Sequence, residues 1–370
     1  MVKWTMGRVL CKTILQIRFN WDNKIMAKGL VVNRKRLFWE KIRLELKNPF
    51  RVAYKESTFH DTYWVRLAED NGWGEGTIPS YFNISEKKLV SYWEKAAQSP
   101  VPFPVSIHQI DEWMGEEGVA PARCAIELAL LDRIGRDEGK PLFEVLDLPE
   151  PKSLTTSYSI SLSTPQEMAN KAKEAKKYPI LKVKLGGESD ESCIAAIREV
   201  RPDCFLRVDV NGAWDLETAK KMIKHLSFYN VEFIEQPLPR ENITELGILQ
   251  SNSNIPIVAD ESARTMVDIH KLGLAGVSGV NLKLMKVGGI LTTLEMIKIA
   301  REYNMRIMLG CMLESSLGVT AMAHLSGLAD WIDLDAPMLL KNDPFDGLQF
   351  DKRLHISLPE RSGIGVLRKE

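Results

Sequence analysis

The spacing of apolar residues changes near residue 155 and divides the chain into two patterns. Before that point, LFWEKIRLELK alternates like a strand from Leu37, and DTYWVRLAED, the turn Asn71-Gly72 and WGEGTI are typical of a hairpin. ISEKKLVSYWEKAAQ and PARCAIELALLDRIGRDEG then show apolar residues at helical spacing. We therefore expect an α+β domain, strands first and helices after, over residues 37–150.

After Thr155, short strands rich in Val and Ile alternate with amphipathic helical segments. The strand-like segments are TTSYSISL, LKVKLG, FLRVDVN, VEFIEQP, IPIVADES, GVNLKL, RIMLGCMLES and WIDLDAP. This alternation predicts an α/β fold, a (β/α)7-8 TIM-type barrel over residues 151–340. Residues 1–36 are basic and weakly patterned, which predicts an N-terminal extension, with disorder as one interpretation.

Charge and cysteine usage limit the classes of function. Lys+Arg and Asp+Glu both number 49, so the formal net charge of +0 gives no reason to expect a nucleic-acid or membrane partner. The five cysteines are scattered and lack CxxC spacing, which argues against a disulfide framework or a thiolate zinc site. No apolar run approaches the roughly 18 to 20 residues of a membrane span. We expect a soluble cytoplasmic protein.

Charged clusters stand where strands of the predicted barrel end, which is where such folds place catalytic groups. Three carboxylates, Asp209, Glu235 and Asp260, lie about 25 residues apart, or one βα repeat each. Three hard oxygen donors without His or Cys suit Mg²⁺ and suit zinc poorly. Alternatively, each carboxylate caps the next helix or pairs with an arginine such as Arg207. Three in register favour the metal.

Lysines flank these carboxylates on both sides. Lys182 and Lys184 are two apart, so they share one face of their strand, and Lys283 ends a strand on the opposite side of the barrel. A lysine is a useful base only when its pKa falls, and a second ammonium and a nearby dication lower it. We expect Lys184 to be a base with Lys182 as its electrostatic neighbour. The alternative is that these lysines only line a face and balance the acids.

Together, the K-x-K on the second strand, the single Lys on the sixth and the three carboxylates resemble the enolase superfamily, over about residues 37–370. Within it, the chain is similar to the muconate lactonizing enzyme subgroup. The resemblance implies that the α+β domain caps the barrel and that a C-terminal segment of about 341–370 returns to the cap. The superfamily uses a Lys or His base with Mg²⁺. The resemblance implies that Mg²⁺ binds the substrate carboxylate and stabilises an enolate. It implies 1,1-proton transfer between opposed bases, Lys184 and Lys283, with Lys182 neutralising the enolate and the metal held by Asp209, Glu235 and Asp260.

The last strand, WIDLDAP, points to a subgroup. Asp333 and Asp335 share one face, which resembles the D-x-D pair with which dipeptide epimerases bind a free α-ammonium. The alternative is a helix N-cap plus a surface acid, because N-caps favour Asp. The segment GCMLESSLG, with Glu314, also resembles these epimerases. We include Glu314 and Asn211 among the expected substrate-binding residues.

The loop PFRVAYKESTFHD, with Arg51, Lys55 and His60, bears on the substrate side chain. Lys55 resembles in position a basic residue that binds the acidic side chain in L-Ala-D/L-Glu epimerases, but Lys lacks the bidentate fork of Arg. We therefore predict a Mg²⁺-dependent dipeptide epimerase of L-Ala-D/L-Glu type, with a hydrophobic second residue left open. Its partner would be a small-molecule dipeptide, and a homo-oligomer is also open.

Two other functions remain open from the sequence. An N-acylamino acid racemase or an o-succinylbenzoate synthase would use the same lysines but would bind no free ammonium, so the pair Asp333 and Asp335 would be dispensable. A catalytically silent binding scaffold could also retain the barrel.

Overall fold

The computed structural model describes residues 36–68 and 72–369. The expected N-terminal extension lies outside the described residues except for Arg36, and so does Asn71 of the expected turn. Residues Leu37–Glu370 form one unit. The boundary at residue 150 within that unit, and the return of residues 341–370 to the cap, stay predictions.

The first elements are an antiparallel sheet and the helices packed on it. The sheet has the order β1 (Leu37–Val52), β2 (Lys55–Leu67), β3 (Trp73–Thr77). Its third strand lies directly on a long helix: a Cβ built on Gly74 would stand 1.8 Å from the carbonyl oxygen of Ala125. Only glycine allows this approach. The helices here are α1 (Glu86–Ala97), α2 (Ile110–Met114), α3 (Ala120–Glu138) and α4 (Leu142–Val145), with a 3₁₀ turn at Ile107–Gln109.

Eight parallel strands follow, hydrogen-bonded in chain order, and they confirm the predicted TIM-type barrel. The register places Lys184 beside Asp209 and Asp209 beside Glu235, so these side chains start from one level of the barrel. The strands are β4 (Tyr158–Ile160), β5 (Ile180–Lys184), β6 (Phe205–Asp209), β7 (Val231–Glu235), β8 (Ile257–Ala259), β9 (Gly279–Leu282), β10 (Arg306–Gly310) and β11 (Trp331–Asp333).

Helices surround the strands, and several begin at residues whose side chains cap them. Thr164, Asp215 and Thr265 each accept a backbone N–H from the first turn of the helix that follows. The helices are α5 (Pro165–Glu174), α6 (Asp190–Val200), α7 (Leu216–Leu226), α8 (Ile243–Ser251), α9 (Met266–Leu274), α10 (Leu284–Val287), α11 (Ile290–Glu302), α12 (Ser316–Ala323) and α13 (Ala336–Leu339).

Short elements complete the fold. They are the 3₁₀ turns Ser227–Tyr229 and Ser326–Leu328 and the strands β12 (Phe345–Asp346), β13 (Gln349–Phe350), β14 (Ile356–Ser357) and β15 (Leu367–Arg368). No helix within the described ranges is long and apolar enough to cross a membrane.

An apolar cluster fills the barrel interior below the strand ends. Phe233, Val258, Met308 and Trp331 are fully or almost fully buried against one another. Two residues further along their strands stand Glu235, Asp260, Gly310 and Asp333, and residues two apart share a face of a strand. The interior is therefore apolar at one level and charged at the next, and the charged level lies at the carboxyl ends of the strands.

The first and last strands of the barrel meet through side chains. In the part of the chain that the structure describes, no backbone ladder joins β4 to β11. Instead, the Leu334 N–H donates to Thr156 Oγ1 at 2.7 Å, Ser157 Oγ donates to Asp333 Oδ1 at 2.5 Å and the Ser159 N–H donates to Asp335 Oδ2 at 2.8 Å. We call these three bonds the seam. Both aspartates of the last strand take part in it.

Candidate active site

The lysines and carboxylates at the strand ends are all buried. They comprise six acids and four lysines: Asp209, Glu235, Asp260, Glu261, Asp333, Asp335, Lys182, Lys184, Lys283 and Lys286. Charged groups are seldom fully buried unless they are paired. Here the ammonium groups pair with the carboxylates, but two acids remain in excess. A cluster with this balance favours a bound cation.

On one side of the cluster, the two lysines of β5 contact the acids of neighbouring strands. Lys182 Nζ lies 2.7 Å from Asp333 Oδ2, 2.8 Å from Glu235 Oε2 and 3.0 Å from Asp209 Oδ2. Lys184 Nζ lies 2.6 Å from Asp209 Oδ2 and 3.3 Å from Asn211 Oδ1. The shared contact with Asp209 agrees with the expectation that the two lysines project together.

On the other side, Lys283 and Lys286 both contact Asp260. Lys283 Nζ lies 2.7 Å from Asp260 Oδ2. Lys286 Nζ lies 2.6 Å from Asp260 Oδ1 and donates to the carbonyl oxygens of Asp260 at 2.6 Å and Asn281 at 2.7 Å. We did not predict Lys286 from the sequence. The signal was its position three residues after Lys283, which one turn of helix brings to the same side.

The surrounding charges affect these lysines differently. Burial alone would lower the pKa of Lys182, but Asp209, Asp333 and Glu235 raise that pKa well above its usual value. Burial opposes the acids at Lys283 too, and Asp260 again makes its pKa high. At Lys286 burial outweighs Asp260, so its pKa falls. The carboxylates thus hold Lys182 and Lys283 protonated.

Glu235 and Glu261 are two acids of the cluster whose charged form is disfavoured. Burial, followed by the charges of Asp209 and Asp260 respectively, raises the pKa of Glu235 to about 8 and that of Glu261 to about 7. In both residues the Oε2 atom is buried and accepts no hydrogen bond. Lys182 Nζ lies 2.8 Å from Glu235 Oε2, but the angles are not those of a hydrogen bond. Buried carboxylate oxygens that accept no hydrogen bond are suitable ligands for a cation.

Gln236 connects the ends of β7 and β8 and so relates Glu235 to Asp260. Its backbone is left-handed, with φ of 38°, a conformation that costs on the order of 1–3 kcal/mol in a non-glycine residue. Its Oε1 accepts the N–H groups of Asp260 at 2.9 Å and Ser262 at 3.1 Å, and its Nε2 donates to Ser262 Oγ and Leu238 O, each at 2.8 Å. These bonds hold the strained turn in place.

The acids fit a hard divalent cation in donor type and in charge. Asp209, Glu235 and Asp260 follow successive strands and offer only oxygen. As placed, no three acid, imidazole or thiol side chains among residues 36–68 and 72–369 surround one common point, because the ammonium groups stand between the carboxylates. Arg207, the expected alternative partner, binds Glu232 instead, at 2.7 Å.

Above the acids lies a cavity of about 120 Å³. Lys182, Lys184, Lys283 and Asn211 line its floor and Asp333 and Asp335 line one wall, while Lys55 and His60 come from the first sheet. The structure therefore brings most of the expected catalytic and substrate-binding residues to one space. Glu235, Asp209 and Asp260 are fully buried just below it.

Asp333 and Asp335 differ in charge state although they share one wall. Burial would raise the pKa of Asp333, but the ammonium of Lys182 outweighs it and the pKa is low. Burial, followed by the charge of Asp333, raises the pKa of Asp335 to about 7. Asp335 precedes α13, but its carboxylate makes no capping bond to that helix. The carboxylate accepts instead from the Ser159 N–H of the seam.

Glu314 and Arg51 do not line this cavity. Glu314 Oε1 accepts the Met312 N–H at 2.7 Å, and burial raises its pKa to about 8. It thus folds its own loop, whose residues Met312 and Leu313 do line the cavity. Arg51 lines a neighbouring cavity between the first sheet and α5. The substrate-binding role expected for Glu314 stays a prediction that this geometry does not favour.

The part of the cavity formed by the first sheet and by the loop after β3 contains polar atoms without hydrogen-bond partners. His60 Nε2 and Tyr81 Oη are buried and make no hydrogen bond, and both residues line the cavity. Burial lowers the pKa of His60 to about 4, so its ring is neutral at pH 7. Tyr81 was not predicted, because the sequence around it shows no pattern that ties it to the barrel. These atoms can bond a polar group of a ligand.

An eight-stranded α/β barrel with buried lysines and acids at the carboxyl ends of its strands is typical of TIM-barrel enzymes, which carry their catalytic groups at that end. Residues 166–370 match the family described as "Enolase C-terminal domain-like". The chain belongs to the enolase superfamily and is an isomerase.

Its relatives include epimerases along nearly the whole length. The chain is 34% identical over 335 residues to an "L-Ala-D/L-amino acid epimerase" of Maribacter sp., covering 88% of this chain and 97% of that protein. A solved dipeptide epimerase from Cytophaga hutchinsonii, complexed with Mg and the dipeptide D-Ala-L-Val, gives a TM-score of 0.84 at 30% identity and covers 90% of this chain and 95% of that one. One from Enterococcus faecalis, with Mg and L-Leu-L-Tyr, gives a TM-score of 0.83 at 30% identity, covering 90% and 99%.

Proposed function

We propose that this chain is a Mg²⁺-dependent dipeptide epimerase that acts at the α-carbon of the C-terminal residue. One observation carries the proposal: Lys184, Lys283 and the pair Asp333 and Asp335 all line a single cavity. Two groups that exchange protons and two that bind an ammonium are the requirements of such a reaction. The relatives named as dipeptide epimerases, two of them solved with Mg and a dipeptide, support it.

Asp209, Glu235 and Asp260 would hold the Mg²⁺. When bound there, Mg²⁺ would supply positive charge beside the substrate carboxylate and so make the α-proton easier to remove. Binding requires that Lys182, Lys184 and Lys283 release the carboxylate oxygens that they now contact. The orphaned oxygen of Glu235 and the excess of acids support this assignment.

Lys184 and Lys283 would exchange the proton. Lys184 ends β5 and Lys283 follows β9, so the two ammonium groups reach the cavity from different sides of the barrel. Asp260 keeps Lys283 protonated while the two are in contact, so release of Asp260 lets Lys283 act as a base as well as an acid. The neutral amine takes the α-proton from one face and the other ammonium returns a proton to the opposite face, which inverts the centre. Asn211 Oδ1, 3.3 Å from Lys184 Nζ, orients that amine. Lys182, deeper and close to three acids, would balance the charge that develops on the substrate carboxylate.

Asp333 and Asp335 would bind the free α-ammonium of the dipeptide. Among the residues that the structure describes, Lys182 forms an ion pair with Asp333 and no ammonium forms one with Asp335, so the pair of carboxylates can accept a second cation. A charge-assisted hydrogen bond in a partly dry site is a strong contact, worth about 1.5–3 kcal/mol. This contact separates a dipeptide from an N-acylamino acid, which has no ammonium.

Lys55, His60 and Tyr81 would contact the side chain of the second residue. The orphaned atoms of His60 and Tyr81 and the cation of Lys55 favour a polar or acidic side chain. The proteins solved with D-Ala-L-Val and L-Leu-L-Tyr hold apolar second residues, which makes a hydrophobic dipeptide the second candidate. Lys55→Ala should raise KM for L-Ala-L-Glu by about two- to fivefold and leave KM for L-Ala-L-Leu unchanged if the acidic side chain is correct.

A dipeptide library in D₂O with Mg²⁺, read by mass spectrometry, tests the function. We expect deuterium at the α-carbon of the second residue of at least one dipeptide, together with appearance of its epimer. Asp335→Asn should lower kcat/KM on that dipeptide by about 10²-fold or more. The matched substrate is the N-acetyl derivative, which the native protein should not turn over. Equal kcat/KM of both proteins on the dipeptide would contradict ammonium recognition and favour an N-acylamino acid racemase or an o-succinylbenzoate synthase.

A further inference from the structure

Three buried carboxylates connect the first elements of the chain to segments more than 150 residues away. Glu75 is on β3, and Glu127 and Asp132 are on α3. Glu127 accepts N–H groups from Ile290 and Leu291 at the start of α11. Asp132 accepts the Ile364 N–H at 2.8 Å and the Trp73 N–H at 3.0 Å. Each replaces water as the partner of backbone groups that would otherwise be unsatisfied.

Glu75 makes the most bonds of the three. Its Oε1 accepts the Ser315 N–H at 3.0 Å and Thr62 Oγ1 at 3.0 Å, and its Oε2 accepts Ser315 Oγ at 2.6 Å and the Gly318 N–H at 3.1 Å. Ser315 precedes α12, so the carboxylate sits at the N-terminus of that helix, whose N–H groups stabilise its charge, although burial outweighs them and raises the pKa of Glu75. The side chain has no exposed surface, and both oxygens are used.

The segment that Glu75 fixes is part of the cavity wall. Cys311, Met312 and Leu313, which follow β10, line the cavity, and Ser315 comes two residues later. Neither Ile290 nor Ile364, the partners of the other two carboxylates, lines that cavity. Of the three contacts, the one through Glu75 therefore bears on the substrate.

The backbone around Glu75 is held in place because β3 packs closely on α3. Gly74 and Gly76 flank it, and a Cβ on either would collide with the carbonyl oxygens of Ala125 or Pro121 on α3, at 1.8 and 2.8 Å. The strand thus packs on α3 without intervening side chains. A wall segment bonded to this strand cannot shift without breaking buried hydrogen bonds, each of which leaves an unsatisfied group costing about 1–3 kcal/mol.

We propose that Glu75 is a positioning residue for catalysis: from the first sheet it holds the segment Cys311–Ser315 in the shape that contacts the dipeptide. It touches no reacting atom and acts through Ser315 and the start of α12. The proposal rests on the proposed function for its kinetic consequence but not for its structural one. It makes substrate affinity depend on a residue that does not line the cavity.

Glu75→Gln is the test variant, because it keeps the volume of the side chain but turns one of the two accepting oxygens into a donor. Asp132→Asn is the matched control, since it makes the same change in a buried carboxylate whose partners lie away from the cavity. We expect Glu75→Gln to raise KM for the dipeptide about tenfold with kcat within about threefold, as for loss of uniform binding. Asp132→Asn should lower the melting temperature without changing KM. Equal changes of KM in the two variants would overturn the proposal.

Ser315→Ala and the double variant form a mutant cycle with Glu75→Gln. If Glu75 acts through Ser315, the increases in KM should not multiply, and the double variant should resemble Glu75→Gln alone within about twofold. Fully multiplicative effects would overturn this route of action.

Amide hydrogen exchange tests the structural half without any activity. In Glu75→Gln, amides of Met312–Gly318 should exchange at least about tenfold faster than in the native protein, while those of Ile290 and Leu291 stay unchanged. If native protein shows no epimerisation but this exchange result is obtained, the proposed function fails and the positioning contact stands. Unchanged exchange at Ser315 and Gly318 contradicts the positioning role whatever the activity.

Discussion

Each side of the acid cluster carries a pair of lysines, but the two pairs are built differently. Lys182 and Lys184 are two residues apart on one strand, and both ammonium groups reach Asp209. Lys283 and Lys286 are three apart across a strand end and a short helix, and both reach Asp260. One lysine of each pair, Lys184 or Lys283, lines the cavity. The pairs differ in the second lysine, which we call the supporting lysine: Lys182 in the first pair and Lys286 in the second. Lys182 also lines the cavity, whereas Lys286 does not.

The two supporting lysines differ in the groups that accept hydrogen bonds from, or form ion pairs with, their ammonium. Lys182 contacts three carboxylates, so its pKa rises well above the usual value although burial opposes this. Lys286 contacts one carboxylate and two carbonyl oxygens, and burial lowers its pKa. The first lines the cavity and lies among three carboxylates, which agrees with the charge-balancing role proposed for it. The second is placed to fix Asp260 by its side chain and its main chain at once.

Removing Lys184 or Lys283 should have the largest effect. Lys184→Ala and Lys283→Ala should each lower kcat for epimerisation by about 10³-fold or more, because one face of the α-carbon then lacks its acid or base. In D₂O each variant should still exchange the α-proton of one stereoisomer, and the stereoisomer should differ between the two variants. Lys220→Ala, an exposed lysine, serves as the control. Exchange of the same stereoisomer by both variants would contradict opposed bases.

Removing the supporting lysine of the second pair should weaken metal binding. Lys286→Met takes away the bonds to the side chain and the main chain of Asp260, and loss of such a partner of a metal ligand costs about 10- to 100-fold in affinity. Calorimetric titration with Mg²⁺ measures it. Lys283→Met is the comparison, because Lys283 must already leave Asp260 for Mg²⁺ to bind, so its removal should not weaken the Mg²⁺ affinity. Tighter Mg²⁺ binding by Lys286→Met would show that charge repulsion, and not positioning, dominates there.

A smaller effect is expected at Asp335, which should make KM depend on pH in a way that the lysine pairs do not. Its pKa is raised to about 7, so in the free protein the carboxyl is neutral below that pH and charged above it. An ammonium substrate binds the charged form, so KM should rise as pH falls, by about tenfold between pH 8 and pH 6. In Asp335→Asn this dependence should be absent, even if other acids near the cavity titrate. An equal slope in both proteins would assign the titration to another group.

The sequence predicts the parts of the site that local spacing determines. Residues two apart on a strand share a face, so spacing alone pairs Lys182 with Lys184 and Asp333 with Asp335. The alternation of strands and helices predicts the barrel, and that expectation is confirmed. Lys286 was not predicted because it belongs to a helix of four residues, which is too short to show a repeat of apolar positions in the sequence.

Contacts between distant segments could not be predicted in this way. Glu75 binds Ser315, 240 residues later, and nothing local to WGEGT indicates that partner. Ser157 and Ser159 were not singled out, because their role depends on how the first strand meets the last. Glu314 was assigned by the resemblance of its loop, and its carboxylate turns back to Met312. Such contacts depend on which distant segments pack together, and local spacing in a single sequence does not show this.

The seam has a consequence for how this site can change. A backbone ladder between strands is available to almost any sequence, but the β4–β11 junction exists only with particular side chains, among them Asp333 and Asp335. The carboxylates proposed to select the substrate therefore also help to close the barrel. A descendant or redesigned enzyme that gives up one of these acids to accept a different substrate must find another closure for its first and last strands. Substrate range and fold integrity are inherited together at this junction.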